Sequence, residues 1–158
     1  MAEIIPHLWY SEKAEEAAIF YASILPHSKI DSITDLPAES PSGPAGSVKV
    51  VEFTLMGQAF MAITAGPLDT FNHSISFLIQ CEDQSEIDYF WKALSEGGIV
   101  EQCGWLKDRY GLSWQITPKI LGKMMKDPNR QRARRVAEAM LKMIKIDIEG
   151  LNRAYADS

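Results

Sequence analysis

The stretch Gly104–Pro118, GWLKDRYGLSWQITP, decides how the rest of the chain is read. Two aromatic-rich strands, one at Trp105 and one over Leu112–Thr117, flank the polar turn Lys107-Asp108-Arg109-Tyr110-Gly111. A turn this tight needs a residue with positive φ, which Gly111 adopts without steric penalty. In the second strand Leu112, Trp114 and Ile116 point to one face, and Ser113, Gln115 and Thr117 point to the other. The first face suits burial against a helix, and the second suits the wall of a cavity. Thr117-Pro118 reads as a helix N-cap followed by proline at the first helical position.

This hairpin is half of a repeat. Met61-Ala62-Ile63-Thr64-Ala65 has the shape of Trp114-Gln115-Ile116-Thr117-Pro118 at an offset of 53. Upstream, Leu8, Glu12, Glu16, Phe20, Tyr21 and Ile24 fall on Leu78, Glu82, Glu86, Phe90, Trp91 and Leu94 at an offset of 70. Both copies run from an apolar strand through an acidic helix start into further strands. Two modules that share a core follow from this.

A chain of 158 residues, 46% apolar, can bury one good core or two small ones. The net charge of -5 argues against nucleic-acid binding, which needs a basic surface. The sequence has neither an 18-residue apolar run nor a charged-then-apolar start, so neither a membrane span nor a signal peptide is expected. Cys81 and Cys103 alone fit reduced thiols in a cytoplasmic protein.

In order, Ile4–Tyr10 reads as a strand, and Ser11 as the cap of a helix whose stripe is Ala14, Ala17, Ala18, Tyr21, Ile24 and Leu25. Residues 29–36 read as a polar edge strand and 37–47 as a Pro/Gly loop. Val48–Met56 and Gln58–Ala65 form a hairpin about Gly57, with Val51, Phe53 and Leu55 facing the core and Glu52 and Thr54 opposite. Ser74–Cys81 opens the second module. Asp83 and Glu86 form a capping box there, before the stripe Ile87, Phe90, Trp91 and Leu94. Residues 119–146 read as helical with a break at Asp127-Pro128, and carry nine of the sixteen Lys and Arg. Their apolar stripe, Val136, Ala139, Met140, Met143 and Ile144, is expected to pack either on its own module or on a second copy, which makes a homodimer the expected assembly. The domain reading is residues 1–118 as paired modules (about 1–66 and 70–118), with 119–158 as a helical extension of the same domain.

The segments IIPHLWY, AEEAAIFYASILPHSKI, VEFTLMGQAFMAITAGP, SISFLIQCEDQSEIDYFWKALSEGG and above all CGWLKDRYGLSWQITP carry a family resemblance. Over residues 4–118 the chain resembles the vicinal-oxygen-chelate (glyoxalase/bleomycin-resistance) superfamily. Within it, the likeness is to the PhnB-like branch often labelled 3-demethylubiquinone-9 3-methyltransferase. The tail RARRVAEAMLKMIKIDIEGLNRAY is similar to that of the longer members. The resemblance implies an α+β fold of two βαβββ modules pairing curved antiparallel sheets around a cleft, with C-terminal helices. In metal-dependent relatives four strand positions supply His or Glu ligands to a divalent ion. The alignment places Pro6, Ala62, Ser76 and Gln115 there, and the two repeat offsets pair them in the same way. Only Gln115 among these could ligate, so no metal and no cofactor are expected. A methyltransferase would also need a glycine-rich turn for S-adenosylmethionine, whereas Gly97-Gly98 ends a helix and Gly43 and Gly46 sit in a proline loop.

Two functions follow. The first is a binding module that holds a small organic ligand in a cleft lined by Pro6, Thr54, Ala62, Thr64, Phe71, Ser74, Ser76, Trp105, Ser113 and Gln115. The second is an enzyme on a small organic substrate, with Glu52, Cys103 or Asp108 as its acid–base or nucleophilic group. Burial of Glu52 or Cys103 in the cleft discriminates the two. Asp108 reads equally as a turn-stabilising residue. Gln115 and Ser76 are expected to line one cavity.

Overall fold

The computed structural model describes residues 1–157; Ser158, the last residue of the expected extension, lies outside the described residues. The chain divides into two compact units, Met1–Asp69 and a second beginning at Thr70. In the first, β1 (His7–Tyr10) leads into α1 (Ala14–Ile24), followed by β2 (Lys29–Asp35), β3 (Lys49–Leu55) and β4 (Gln58–Thr64). The second repeats this order with β5 (Ser76–Cys81), α2 (Gln84–Ser95), β6 (Ile99–Val100), β7 (Trp105–Lys107) and β8 (Ser113–Pro118). It then continues into α3 (Lys119–Met125), α4 (Arg130–Leu141) and α5 (Ile148–Ala156). This is the expected pair of βαβββ modules in an α+β fold.

The sheets are mixed, not antiparallel. Their strand orders are β1-β4-β3-β2 and β5-β8-β7-β6, with β1 parallel to β4 and β5 parallel to β8. Each helix carries the chain back to the end where its first strand began. The next strand therefore starts in the original direction, and two hairpins later the fourth strand shares it.

In the first unit Leu8, Ala62 and Val51 form one cross-strand row, and all three are buried. With Phe53, Leu55 and Phe60 they make the face that packs on Ala14, Ala17, Ala18 and Tyr21 of α1. The β3–β4 turn at Met56-Gly57 has positive φ at both residues (50 and 84), as a two-residue hairpin requires. Ser11 does not cap α1. The helix starts after Lys13, and the Ala14 N–H is satisfied by Thr64 Oγ1 at 2.9 Å.

In the second unit Leu106, Trp114, Ile116 and Ile79 are buried on the face toward Ile87, Phe90 and Leu94 of α2. Asp83 caps α2 as expected, accepting from Glu86 N at 2.9 Å, but the Glu86 carboxylate reaches one residue past the cap and accepts from Glu82 N at 2.9 Å, so the box is not reciprocal. Thr117, expected to cap a helix, instead stays in β8 opposite Gln80, and α3 starts after Pro118 without a side-chain cap.

The helix expected through residue 146 stops at Leu141. Its continuation is used as a strap: Met143 O and Ile144 O accept from Cys103 N and Gly104 N, both at 2.8 Å. Farther on, the Gln84 side chain donates to Ile146 O at 3.0 Å and accepts from Ile148 N at 2.8 Å. Val136, Ile146 and Leu151 join Leu121 and Met124 in a second small core, flanked by Met125, Met140, Met143 and Tyr155. Much of the tail's apolar stripe is thus covered by the chain itself, and Ile144 is exposed. No helix among the described residues is long and apolar enough to cross a membrane.

Candidate functional site

Within the second unit, the sheet face opposite α2 floors a cleft of about 300 Å³. The floor is set by register: Leu78, Gln115 and Trp105 lie in one cross-strand row, and Gln80 pairs with Thr117 in the next. Alternation along β5 and β8 sends these side chains away from α2 while Ile79 and Ile116 go toward it. Because Pro118 ends β8 and starts α3, that helix brings Leu121, Gly122 and Met125 to the wall, and α4 adds Met140. Cys103 completes the lining.

Gln115 donates through Nε2 to Ser76 Oγ at 3.0 Å, which fixes the amide and leaves its carbonyl oxygen toward other donors. The Trp105 ring meets the His73 imidazole at 5.7 Å, and His73 Nε2 lies 3.0 Å from both Glu101 carboxylate oxygens. Cys103 is half-buried at φ 59, with its thiol 3.8 Å from Leu141 O, and the strap described above holds it there. Cys81 is different. Burial, followed by the nearby Glu86 and Asp83 carboxylates, pushes its thiol up to about 12, so it stays protonated. No Asp, Glu, His, Lys or Arg side chain is among those lining the cleft.

The structure gathers Cys103, Trp105 and Gln115 at this cleft, with Ser76 directly behind Gln115. Ser113 lies on the same face, fully buried, and its hydroxyl makes no hydrogen bond. Ser74 precedes β5, exposed, in a turn closed by Asn72 Oδ1 on its N–H at 2.8 Å. Phe71 is half-buried in the segment between β4 and β5. Asp108 is no cleft residue. It is 3% exposed and organises the hairpin turn, accepting from Tyr110 N at 2.8 Å, Leu112 N at 3.1 Å and Trp114 Nε1 at 2.8 Å.

In the first unit the expected faces must be corrected. Ala62 is fully buried in the row with Leu8 and Val51, against α1, and Thr64 turns the same way to cap α1. Pro6 precedes β1, where its carbonyl accepts from Met61 N at 2.9 Å. The opposite face carries His7, Met61 and Glu52 in one row. The cause is a slip of one residue. Buried positions superpose at an offset of 69 (Ala18, Tyr21 and Leu25 on Ile87, Phe90 and Leu94) and the last strands at 52 (Ala62 on Trp114), whereas the self-alignment used 70 and 53. A slip of one reverses every strand residue. Glu52 is exposed and accepts from Ser32 Oγ at 2.5 Å, and Thr54 donates to Asp31 Oδ2 at 2.7 Å.

The corrected register changes the metal fit little. With Ser76 and Gln115 kept, the offsets of 69 and 52 put His7 and Ile63 at the first-unit positions, so the set gains one imidazole and Gln115 stays its only amide ligand. Among the described residues no three His, Cys, Asp or Glu side chains group closely enough to hold a metal ion. These side chains do not fit the divalent ion of the superfamily's enzymes.

Sequence reasoning missed Leu78 and Gln80 as floor residues, although Leu78 was on the correct alternating row. It also missed Leu121, Gly122, Met125 and Met140. The one available signal was Gly122, a glycine inside a helical pattern.

The family model for 3-demethylubiquinone-9 3-methyltransferase matches residues 2–117. A putative 3-demethylubiquinone-9 3-methyltransferase, a PhnB protein from Bacillus cereus, is 36% identical, with a TM-score of 0.65 over 74% of this chain and 99% of its own. A Pseudomonas aeruginosa protein is 21% identical, with a TM-score of 0.57 over 75% of this chain and 98% of its own. The fosfomycin resistance protein FosX from Listeria monocytogenes, 10% identical, has a TM-score of 0.55 over 80% of this chain and 98% of its own, which is a likeness of fold. No curated protein matches the chain significantly. Sequence match and fold agree, and the chain belongs to the 3-demethylubiquinone-9 3-methyltransferase family, the PhnB-like branch of the vicinal-oxygen-chelate superfamily.

Proposed function

We propose that this chain is a binding protein for a small, neutral, largely aromatic molecule, held in the cleft over β5, β7 and β8 without a metal. The observation that carries the reading is the lining itself. Trp105, Leu78, Leu121, Met125 and Met140 offer apolar and polarizable surface, while Gln115, Gln80 and Thr117 offer uncharged hydrogen-bonding groups. An ionised ligand would enter such a cleft without a counter-charge, at a large desolvation penalty. Glu52 is exposed and bonded to Ser32 and Asp108 is bound in its turn, so neither serves acid–base chemistry in the cleft. The alternative, an enzyme on a small organic substrate, rests on Cys103, which lines the cleft half-buried. The cytoplasm and a homodimer remain part of this reading.

The test uses 2-naphthol and phenol as probes in thermal denaturation and titration calorimetry. A ligand at a hundred times its Kd stabilises the native state by about 2.7 kcal/mol, which raises Tm by roughly 5–10 °C for a chain this size. Trp105→Ala should abolish the shift, and Glu52→Gln should leave it intact. A wild-type protein indifferent to both probes at millimolar concentration refutes the reading.

A further inference from the structure

Gly122 sits inside α3 and lines the cleft, with the bulk of Met125 and Met140 beside it on the wall. Glycine is among the poorest residues in a helix interior, so its presence there calls for a reason. The usual reasons are absent. Gly122 does not adopt a positive φ, and a Cβ built on it would meet no atom within 4 Å. By contrast Gly98 and Gly104 are hemmed in by backbone, where a Cβ would lie 2.1 Å from Lys107 O and 2.8 Å from Ile116 O. The space beside Gly122 is therefore neither packed nor needed by the backbone.

We infer that Gly122 is a specificity-determining position, whose missing side chain reserves room in the cleft for the second ring of a fused or biaryl aromatic ligand lying over the Leu78–Gln115–Trp105 row. The inference rests on the binding function proposed above and adds the size class of the ligand. It also assigns a role to the C-terminal extension. The family match ends at residue 117, and Leu121, Gly122, Met125 and Met140 all come from beyond it. The floor belongs to the shared fold, whereas the wall that sets ligand size belongs to the extension.

The polar groups on the floor define what the ring system carries. Gln115 has one amide N–H engaged by Ser76 Oγ, and its carbonyl oxygen accepts from a ligand hydroxyl or amide N–H. Thr117, two residues along the same face, donates to or accepts from a second such group. A neutral hydroxy- or amide-bearing bicyclic aromatic satisfies both.

The experiment compares 2-naphthol with phenol on the full chain, as wild type, Gly122→Ala and Gly122→Leu, by titration calorimetry with circular dichroism melts alongside. Gly122→Leu should fold with an unchanged or raised Tm and weaken 2-naphthol at least tenfold, while phenol stays within about threefold of wild type. Gly122→Ala, the milder change, should weaken 2-naphthol by a smaller factor in the same direction and hold the fold if leucine disturbs it. Equal losses for both probes mean that the cleft has been distorted, and overturn a size-selecting role. Unchanged 2-naphthol affinity in both variants overturns the role of Gly122 while the binding function stands. Failure of the wild-type protein to bind either probe overturns both.

Discussion

Replacing Asp108 tests whether the hairpin that dominates the second unit is organised by a buried carboxylate. The side chain is 3% exposed and accepts two backbone N–H groups through Oδ1 and the Trp114 indole N–H through Oδ2. Asp108→Ala removes both acceptor oxygens, and with them three hydrogen bonds, including those of the Leu112 N–H and the Trp114 indole, residues 1% and 2% exposed. Each unsatisfied buried donor costs about 1–3 kcal/mol, and with the partly buried Tyr110 N–H the sum is about 4 kcal/mol. At roughly 2–4 °C per kcal/mol, Tm should fall by about 8–16 °C. Asp108→Asn keeps one acceptor oxygen but turns an amide toward one of the donors, so it should lose about 1–2 kcal/mol. Urea melts followed by circular dichroism and by Trp fluorescence measure both. If alanine and asparagine each stay within about 0.5 kcal/mol of wild type, the carboxylate does not hold the turn and the reasoning fails.

Gly98→Ala should prevent folding or lower Tm by more than 10 °C, at a penalty of roughly 3 kcal/mol or more, because its Cβ would meet Lys107 O and the Asp108 backbone; soluble protein with a wild-type melt speaks against the packing described. Gln84→Ala should cost about 2 kcal/mol by releasing Ile146 O and Ile148 N, with faster hydrogen exchange over residues 142–150 as the readout. Cys81 keeps its proton in the native state up to about 12, whereas the unfolded thiol loses it from about 9.0. The unfolded state therefore binds fewer protons between those values, and stability should fall as pH rises through that window. Cys81→Ala should remove this component of the slope, and a slope unchanged by it contradicts the assignment. In native protein at pH 8, iodoacetamide should label Cys103 well before Cys81, as mass spectrometry of the digested chain would show.

Hydrophobic period and turn glycines are local properties, so the doubled order of strands and helices was legible in the residues, although Ser11 and Thr117 do not cap their helices and α4 ends at Leu141. Gly111 in the hairpin turn, Asp83 as the cap of α2 and the Met56-Gly57 turn each stand where the residues said they would. Alternation also separated Leu112, Trp114 and Ile116 from Ser113, Gln115 and Thr117, and it put Gln115 and Ser76 on one face, where they are hydrogen-bonded. What alternation cannot supply is which of two faces a helix covers. In the second module the large apolar side chains of β8 made the choice plain. In the first, Pro6 and Ala62 were one residue from His7 and Met61, and small or half-apolar side chains on both faces gave no contrast to correct the slip. Only the burial of Leu8, Ala62 and Val51 against α1 decided it. The cleft lay still further from local reading. Its floor comes from three strands and its wall from α3 and α4, and no propensity or period links Leu78 or Trp105 to Gly122 and Met140. That proximity exists because Cys103 and Gly104 are strapped to residues 143 and 144, and hydrogen bonds across forty residues form only once the chain has folded.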